Sequence, residues 1–142
     1  MTSERNRPLR GLLDTSTLLL LPELHDAAVL PVEPLISTIT LAELSVGPLV
    51  ARTEQERAAR QAHLQQAEAD FEPLPFDAAA ARTFGHVAAC LRHAGRKTSA
   101  RSYDAMIAAV AIANGLPLYT ANPDDFTVID QLDVVDVPHP DV

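Results

Sequence analysis

The sequence predicts one α/β domain in which helices cover both faces of a central parallel sheet, giving three layers. Short apolar segments of strand length alternate with longer helical segments, which is typical of parallel strands linked by helical crossovers. The chain has 142 residues, enough for one full domain and too few for two of ordinary size. We expect a flexible N-terminus over 1–9, the domain over 10–137 and a tail over 138–142.

The first half of the chain is predicted to contain two strands and three helices. Residues 11–14 form the first strand, which leads through a turn into a helix. Residues 35–39 are rich in β-branched side chains and are predicted to form the second strand, with a helix opening at Thr40. Residues 53–70 are charged and rich in Ala and Gln, so they suit an exposed helix that forms a projecting hairpin with the helix before it.

The second half is predicted to contain two helices and two strands. Asp77 caps an Ala-rich helix that stops at Gly95. Residues 102–113 form a helix that is apolar on nearly every side, and such a helix is buried. Strands are predicted at 116–120 and 134–137.

Composition excludes several classes of protein. No segment reaches the roughly 18 consecutive apolar residues of a membrane span, and no signal-peptide core follows the N-terminal arginines, so we expect a cytoplasmic protein. Cys90 is the only cysteine, which excludes an intramolecular disulfide, and we expect it to be a small buried hydrophobe. The five histidines show no paired spacing of the kind that zinc sites use, and we expect none to be catalytic.

The net charge of −8 argues against a protein that grips nucleic acid by charge alone. Acidic residues dominate after position 101, and they would repel phosphate groups unless cations lie between the carboxylates and the phosphates. One basic cluster precedes them and consists of Arg92, His93, Arg96, Lys97 and Arg101. It would either hold phosphate groups beside a metal or form a solvated loop at a helix C-terminus, where cations are favoured in any case.

Acidic residues distant in sequence are predicted to converge. Asp14 ends the first strand, and an Asn-Pro-Asp-Asp turn at 122–125 follows a later one. Glu43 and Asp104 lie in the first turns of two predicted helices. The carboxyl ends of parallel strands and the N-termini of the helices that follow share one edge of a sheet, where ligands bind.

A metal ion would explain this convergence. Carboxylates that meet repel one another unless a cation neutralises them. Oxygen ligands without Cys or His favour Mg²⁺ or Mn²⁺. Such an ion activates water and offsets the charge on a phosphodiester in its transition state.

Each acid also has a purely structural explanation. Asp14 could be only the N-cap of the helix after it, and Asp104 could favour the positive end of its helix dipole. Glu43 follows Thr40 at the spacing of a capping box. Turns collect acidic residues such as those at 124–125. The hydroxyls of Thr15, Ser16, Thr17 and Thr120 could likewise bond a carboxylate or an attacking water, or serve only as caps.

Four short motifs occur in order along the chain: LLDTS at 12–16, ITLAEL at 39–44, DAMIAA at 104–109 and YTANPDDF at 119–126. In order and spacing they resemble the signatures of the PIN domain family, and most nearly those of the VapC toxins of VapBC toxin–antitoxin pairs. The resemblance covers about residues 10–137. It implies an α/β/α sandwich and an endoribonuclease that depends on Mg²⁺ or Mn²⁺. It also implies a homodimer and a cognate VapB-like antitoxin whose C-terminal segment covers the active site.

The resemblance assigns roles to the acids. Asp14, Glu43 and Asp104 fall on the first three acids of the family. We expect Asp14 and Asp104 to bind the principal metal and Glu43 to orient or deprotonate the attacking water. Arg92, Arg96, Lys97 and Arg101 become candidates for binding RNA.

The position of the fourth acid is open. Some family members have an Asp where this chain has Asn122, and others have the acid directly before the Phe, which here is Asp125. We expect Asp125, with Asp124 and Asn122 as alternates. The choice affects the coordination number and any second metal, and leaves the reaction class unchanged.

Two other classes of function remain as alternatives. A phospho-acceptor receiver domain also places acids at strand ends, but it needs a Lys near the late strands. The only lysine is Lys97, which precedes the predicted helix at 102–113. A catalytically idle PIN-like binding module would keep the fold without the reaction, and the acids at the first three family positions argue against it.

Overall fold

Four parallel strands form one sheet in the computed structural model, which describes residues 8–97 and 102–140. The strands are β1 Arg10–Leu13, β2 Glu33–Leu35, β3 Leu118–Thr120 and β4 Val134–Asp136. Their order is β2-β1-β3-β4, and every neighbouring pair is parallel. Because β1 and β3 are adjacent at the centre, their carboxyl ends lie side by side.

Five α-helices lie within the described residues: α1 Thr15–Leu20, α2 Thr38–Val50, α3 Glu54–Asp70, α4 Ala78–His93 and α5 Ser102–Ala113. The first four begin at a polar side chain that accepts a hydrogen bond from the backbone N–H three residues later, namely Asp14, Ser37, Thr53 and Asp77. Gly95 and Gly115 follow α4 and α5 with φ of +78° and +64°, the left-handed conformation that ends many helices at glycine.

The helices cover both faces of the sheet. Neighbouring residues of a strand point to opposite faces, and Leu12 and Leu13 of β1 belong to two different apolar cores. The core around Leu12 contains side chains of α4 and α5. The core around Leu13 contains side chains of α1, α2 and α3. The predicted three-layer α/β/α architecture is therefore confirmed.

Two sequence features at the centre of the fold have clear packing reasons. The interior of α5 is fully buried from Ile107 to Ala111, as its apolar sequence predicts. Gly11 of β1 lies under the ring of Tyr119, where an added Cβ would come within 2.5 Å of that ring. No helix in the described residues is both long and apolar enough to cross a membrane.

The predicted boundaries of the second strand are wrong. The strand spans Glu33–Leu35 and not 35–39, and α2 begins at Thr38. Residues 36–38 are paired, but with a different segment: Leu74 donates to the carbonyl of Ile36 over 2.9 Å and accepts from the N–H of Thr38 over 2.9 Å. Local sequence indicates strand-like pairing here without indicating the partner.

The exposed helix predicted at 53–70 is confirmed as α3, which packs against α2. Arg60 of α3 donates a 3.0 Å hydrogen bond to the carbonyl of Gly47 in α2. The expectation that Cys90 is fully buried is wrong. Cys90 is half-buried on α4, and its Sγ lies 3.6 Å from Nε2 of His86 one turn earlier.

Candidate active site

A cavity of about 260 Å³ opens at the carboxyl ends of β1 and β3. Its lining consists of Asp14, Thr15, Ser16, Leu19, Glu43, Asp104, Asn122 and Asp125. Contact between α2 and α5 brings two of these acids, Glu43 and Asp104, to the same opening. The four acids expected to converge therefore line one cavity.

Asp14 is the most deeply buried acid of the cavity, with 4% of its surface exposed. Its Oδ1 accepts hydrogen bonds from the backbone N–H of Thr17 (3.0 Å) and from the hydroxyl of Ser16 (3.1 Å). Its Oδ2 accepts from the hydroxyl of Thr120 over 2.6 Å. Asp14 is thus the N-cap of α1 and also a cavity residue. Since a carboxylate oxygen has two acceptor positions, Oδ2 keeps one for a ligand.

Glu43 is held by a chain of hydroxyls. Thr15 donates to its Oε1 over 2.7 Å. The hydroxyl of Thr15 also lies 3.0 Å from that of Thr40. Because Thr15 has one hydroxyl proton and gives it to the carboxylate, Thr40 must be the donor in the second bond.

The electrostatics of Glu43 are unusual for a glutamate. Burial raises the pKa of its carboxyl, the hydrogen bond from Thr15 partly offsets this rise, and the nearby charge of Asp14 adds to it. The capping box expected from Thr40 and Glu43 is absent, because Ser37 caps α2 and Glu43 lies in the second turn. This removes the structural alternative for Glu43.

Asp104 enters the cavity from the first turn of α5 and is half-buried. A position in the first turn is favourable for an acid because the helix dipole is positive there. The same residue lines the cavity at the ends of β1 and β3, so a favourable place in the helix dipole and a place in the cavity are compatible.

The turn at 122–125 separates its polar residues. Asp125 and Asn122 line the cavity, whereas the exposed Asp124 does not. The amide of Asn122 donates to Ser16 over 3.2 Å, and its backbone N–H donates to the hydroxyl of Thr120 over 2.9 Å. Among the alternatives for the fourth acid, the geometry favours Asp125.

The carboxylates surround the cavity without forming a closed cage. Within the described ranges, one group of three His, Cys, Asp or Glu side chains has its ligand atoms within 4.8 Å of one another, and that group lies elsewhere. An ion bound among these acids would therefore keep water molecules in its shell. Mg²⁺ commonly binds in this way, through one or two carboxylates and several waters.

The family model for the PIN domain matches residues 12–132 of the chain. The chain belongs to the PIN domain family. The resemblance drawn from the four sequence motifs is confirmed.

Individual relatives of this PIN domain agree with the family match. It is 40% identical over 125 residues to Ribonuclease VapC5 of Mycobacterium tuberculosis, covering 87% of this chain and 90% of that protein. It is similar to the crystal structure of VapBC-5 from Mycobacterium tuberculosis, a member of the VapBC family of toxin–antitoxin systems, with a TM-score of 0.78, 38% identity and coverage of 92% and 100%. It is also similar to the DNA-bound VapBC of Salmonella typhimurium, with a TM-score of 0.72, 27% identity and coverage of 90% and 98%.

The described residues of the basic cluster in this PIN domain lie outside the cavity lining. Arg92 is exposed in the last turn of α4 and Lys97 is exposed after the end of that helix, whereas Arg101 lies outside the described residues. Arg96 is half-buried and donates a 2.8 Å hydrogen bond to the backbone carbonyl of Asp124. This bond links the end of α4 to the turn that positions Asp125.

Two buried threonines of the PIN domain make hydrogen bonds near the cavity: Thr17, which the sequence already indicated, and Thr40, whose role differs from the predicted capping box. Thr17 and Thr40 are fully buried, although neither lines the cavity. Thr17 accepts a 3.2 Å hydrogen bond from the N–H of Ala121, while Thr40 supports Thr15. The sequence places Thr40 at the capping-box spacing from Glu43, but its link to that acid runs through Thr15 and depends on the packing of α1 against α2.

Proposed function

We propose that this PIN domain is an RNA-cleaving toxin of a toxin–antitoxin pair, and that its activity requires Mg²⁺ or Mn²⁺. The observation that supports the proposal is the single cavity lined by Asp14, Glu43, Asp104 and Asp125. The similarity of the chain to Ribonuclease VapC5 points to RNA as the substrate. A carboxylate cavity suits hydrolysis of a phosphodiester only if a cation offsets the repulsion between acid and phosphate.

The residues present fit a hard divalent ion. Every polar side chain of the lining offers oxygen ligands, and neither Cys nor His is among them. Oδ2 of Asp14 keeps one acceptor position, and Asp104 and Asp125 approach from two other elements. These three acids would hold the ion, which supplies an activated water and offsets charge on the phosphate.

We assign to Glu43 the role of orienting or deprotonating the attacking water. Thr15 engages its Oε1, so Oε2 is the atom that would orient the water or take a proton from it. A carboxylate with a raised pKa accepts a proton more readily than an ordinary one. Thr120 and Ser16 would keep Asp14 fixed while this occurs, since both donate to its carboxylate.

Contacts to the rest of the RNA would come from the basic residues. We assign phosphate binding to four basic residues that precede Asp104 in the sequence, namely Arg92, Arg96, Lys97 and Arg101. Because the net charge of the chain is −8, the rest of the surface repels RNA, and these contacts need dissolved cations to screen that repulsion.

We further propose a VapB-like antitoxin as the partner and a homodimer as the assembly, with the PIN domain spanning 10–137. The support is the similarity to VapBC-5, a member of the VapBC family of toxin–antitoxin systems. An antitoxin segment that reaches the cavity would block the acids directly. Co-purification of the chain with the product of a neighbouring short reading frame would test the pairing.

Cleavage of total RNA tests the activity. Wild-type protein should cut RNA with Mg²⁺ or Mn²⁺ and stop when EDTA removes the ion. Asp104→Asn keeps the size of the side chain and removes its charge, so it should be folded and inactive. Folded wild-type protein that cuts no RNA with either ion would support an idle binding module instead.

A further inference from the structure

A second cluster of metal-ligand side chains lies away from the carboxylate cavity. His86 and Cys90 are one turn apart on α4, and Asp130 lies in the segment that leads to β4. One ligand atom from each lies within 4.8 Å of the other two. Cys90 Sγ and His86 Nε2 are 3.6 Å apart. The three groups come from two separate elements, so tertiary packing brings them together.

The three side chains border a pocket of about 380 Å³. Its wall also contains His93, Ala89, Ala94 and Val128. None of these residues lines the carboxylate cavity. The pocket is therefore a separate site, open to solvent because His86 and Asp130 are exposed.

The chemistry of this cluster differs from that of the carboxylate cavity. A thiolate, an imidazole and a carboxylate together suit borderline divalent ions such as Zn²⁺, whereas Mg²⁺ prefers oxygen alone. Residues four apart on a helix lie on one face, so His86 and Cys90 can bind the same ion. The histidines show no paired spacing with one another, but His86 and Cys90 are four residues apart, a spacing that suits two ligands of one ion.

We propose that His86, Cys90 and Asp130 form a binding site for Zn²⁺ or a similar divalent transition metal, with water as the fourth ligand. The ion would join α4 to the segment after Asp125. That segment is already anchored by Phe126 and Ile129, which are 1% and 4% exposed. The ion would thus act as a structural link at a site separate from the carboxylate cavity. An ion that binds only the folded chain stabilises it.

Co²⁺ is the probe that isolates this site. A Co²⁺ ion bound to a thiolate gives a charge-transfer absorption in the near ultraviolet, and carboxylate-bound Co²⁺ does not. Because Cys90 is the only cysteine of the chain, the band reports this cluster alone. Titration of the reduced full-length protein should give a saturable band at one Co²⁺ per chain, which Zn²⁺ displaces.

Variants separate the three ligands. Cys90→Ser should abolish the band, while His86→Ala and Asp130→Ala should weaken Co²⁺ binding by at least about tenfold, a loss that even outer-shell partners of metal ligands cause. His63→Ala, an exposed histidine of α3, is the matched control and should bind as wild type does. Asp104→Asn should also leave the band unchanged, because it lies in the other cavity.

Two results would overturn the proposal. One is the absence of a thiolate band at saturating Co²⁺ in protein whose circular dichroism shows it to be folded. The other is unchanged Co²⁺ affinity in both His86→Ala and Asp130→Ala, which would mean that the thiol binds Co²⁺ without this cluster. Neither result depends on RNA cleavage, so the site is tested independently of the proposed ribonuclease activity.

Discussion

Thr120 donates a 2.6 Å hydrogen bond to Oδ2 of Asp14, a residue 106 positions earlier in the chain. Both side chains are buried at the carboxyl ends of two adjacent strands. The bond fixes the orientation of the carboxylate and satisfies one of its acceptor positions. An acid buried at this level would otherwise lack one of the partners that stabilise its charge.

Thr120→Val removes this hydrogen bond with little change in shape. We expect it to lower the free energy of unfolding by about 1–3 kcal/mol, the usual cost of leaving a buried polar group without its partner. RNA cleavage should fall as well, because Asp14 is no longer fixed. Urea denaturation and a cleavage assay measure the two effects. Thr127→Val, at an exposed position, is the control, and equal behaviour of the two variants would contradict the role of Thr120.

Asp14 has two functions that substitution can separate. Asn caps helices about as well as Asp, whereas Ala costs roughly 0.5–2 kcal/mol at an N-cap. We therefore expect Asp14→Asn to lose cleavage while keeping most of the stability, and Asp14→Ala to lose cleavage and to be less stable by roughly 0.5–2 kcal/mol. Thermal unfolding together with RNA cleavage distinguishes these outcomes. Substantial metal-dependent cleavage by Asp14→Asn would show that its negative charge is not needed.

Glu43→Gln should stabilise the metal-free protein at neutral pH. Burial raises the pKa of Glu43 above its usual value of 4.5, so ionisation is less favourable in the folded chain than in the unfolded one. The stability that this group contributes is complete below its usual pKa and is lost as the pH rises through the raised value. Gln mimics the protonated form and keeps an acceptor for Thr15.

The advantage of Glu43→Gln should therefore shrink as the pH falls, and vanish below the usual pKa of this carboxyl, 4.5. Urea denaturation of wild type and variant in EDTA, repeated across this pH range, measures the difference. A stability gain that is constant with pH would mean that it comes from packing and not from the ionisation of Glu43.

Asp124 and Asp125 form a matched pair for testing the fourth acid. Only Asp125 lines the cavity, and Asp124 is exposed. We expect Asp125→Asn to weaken cleavage and to raise the concentration of Mg²⁺ that is required. Asp124→Asn should behave as wild type, since the contact with Arg96 uses its backbone carbonyl. The reverse pattern would move the fourth position to Asp124.

The sequence predicts the site better than it predicts the element boundaries, and the reason is physical. The convergence of Asp14, Glu43, Asp104 and the 122–125 turn is predicted because parallel strands share one edge, so a position at a strand end or a helix start limits where a side chain can lie. The preference for Asp125 within that turn comes from the family resemblance. The boundary of β2 was missed because residues 36–38 pair with Leu74, a contact between distant parts of the chain.

Helix starts and surface clusters are also hard to predict from sequence, because they too depend on contacts between distant parts of the chain. Ser37 and Thr40 are both good caps by composition. The chain pairs with Leu74 up to Thr38, and α2 starts directly after Ser37. The grouping of Asp130 with His86 and Cys90 depends on how the segment after Asp125 crosses α4. No local pattern in the sequence specifies that crossing.

The strand order also fixes when the cavity can form during synthesis. β1 emerges from the ribosome first, yet its neighbour β3 and the partner of Asp14, Thr120, follow more than a hundred residues later. Until Asp125 has been translated, a nascent chain has the first acids without the last one. An unfinished copy of the chain therefore lacks both the buried bond that orients Asp14 and the complete set of acids around the cavity.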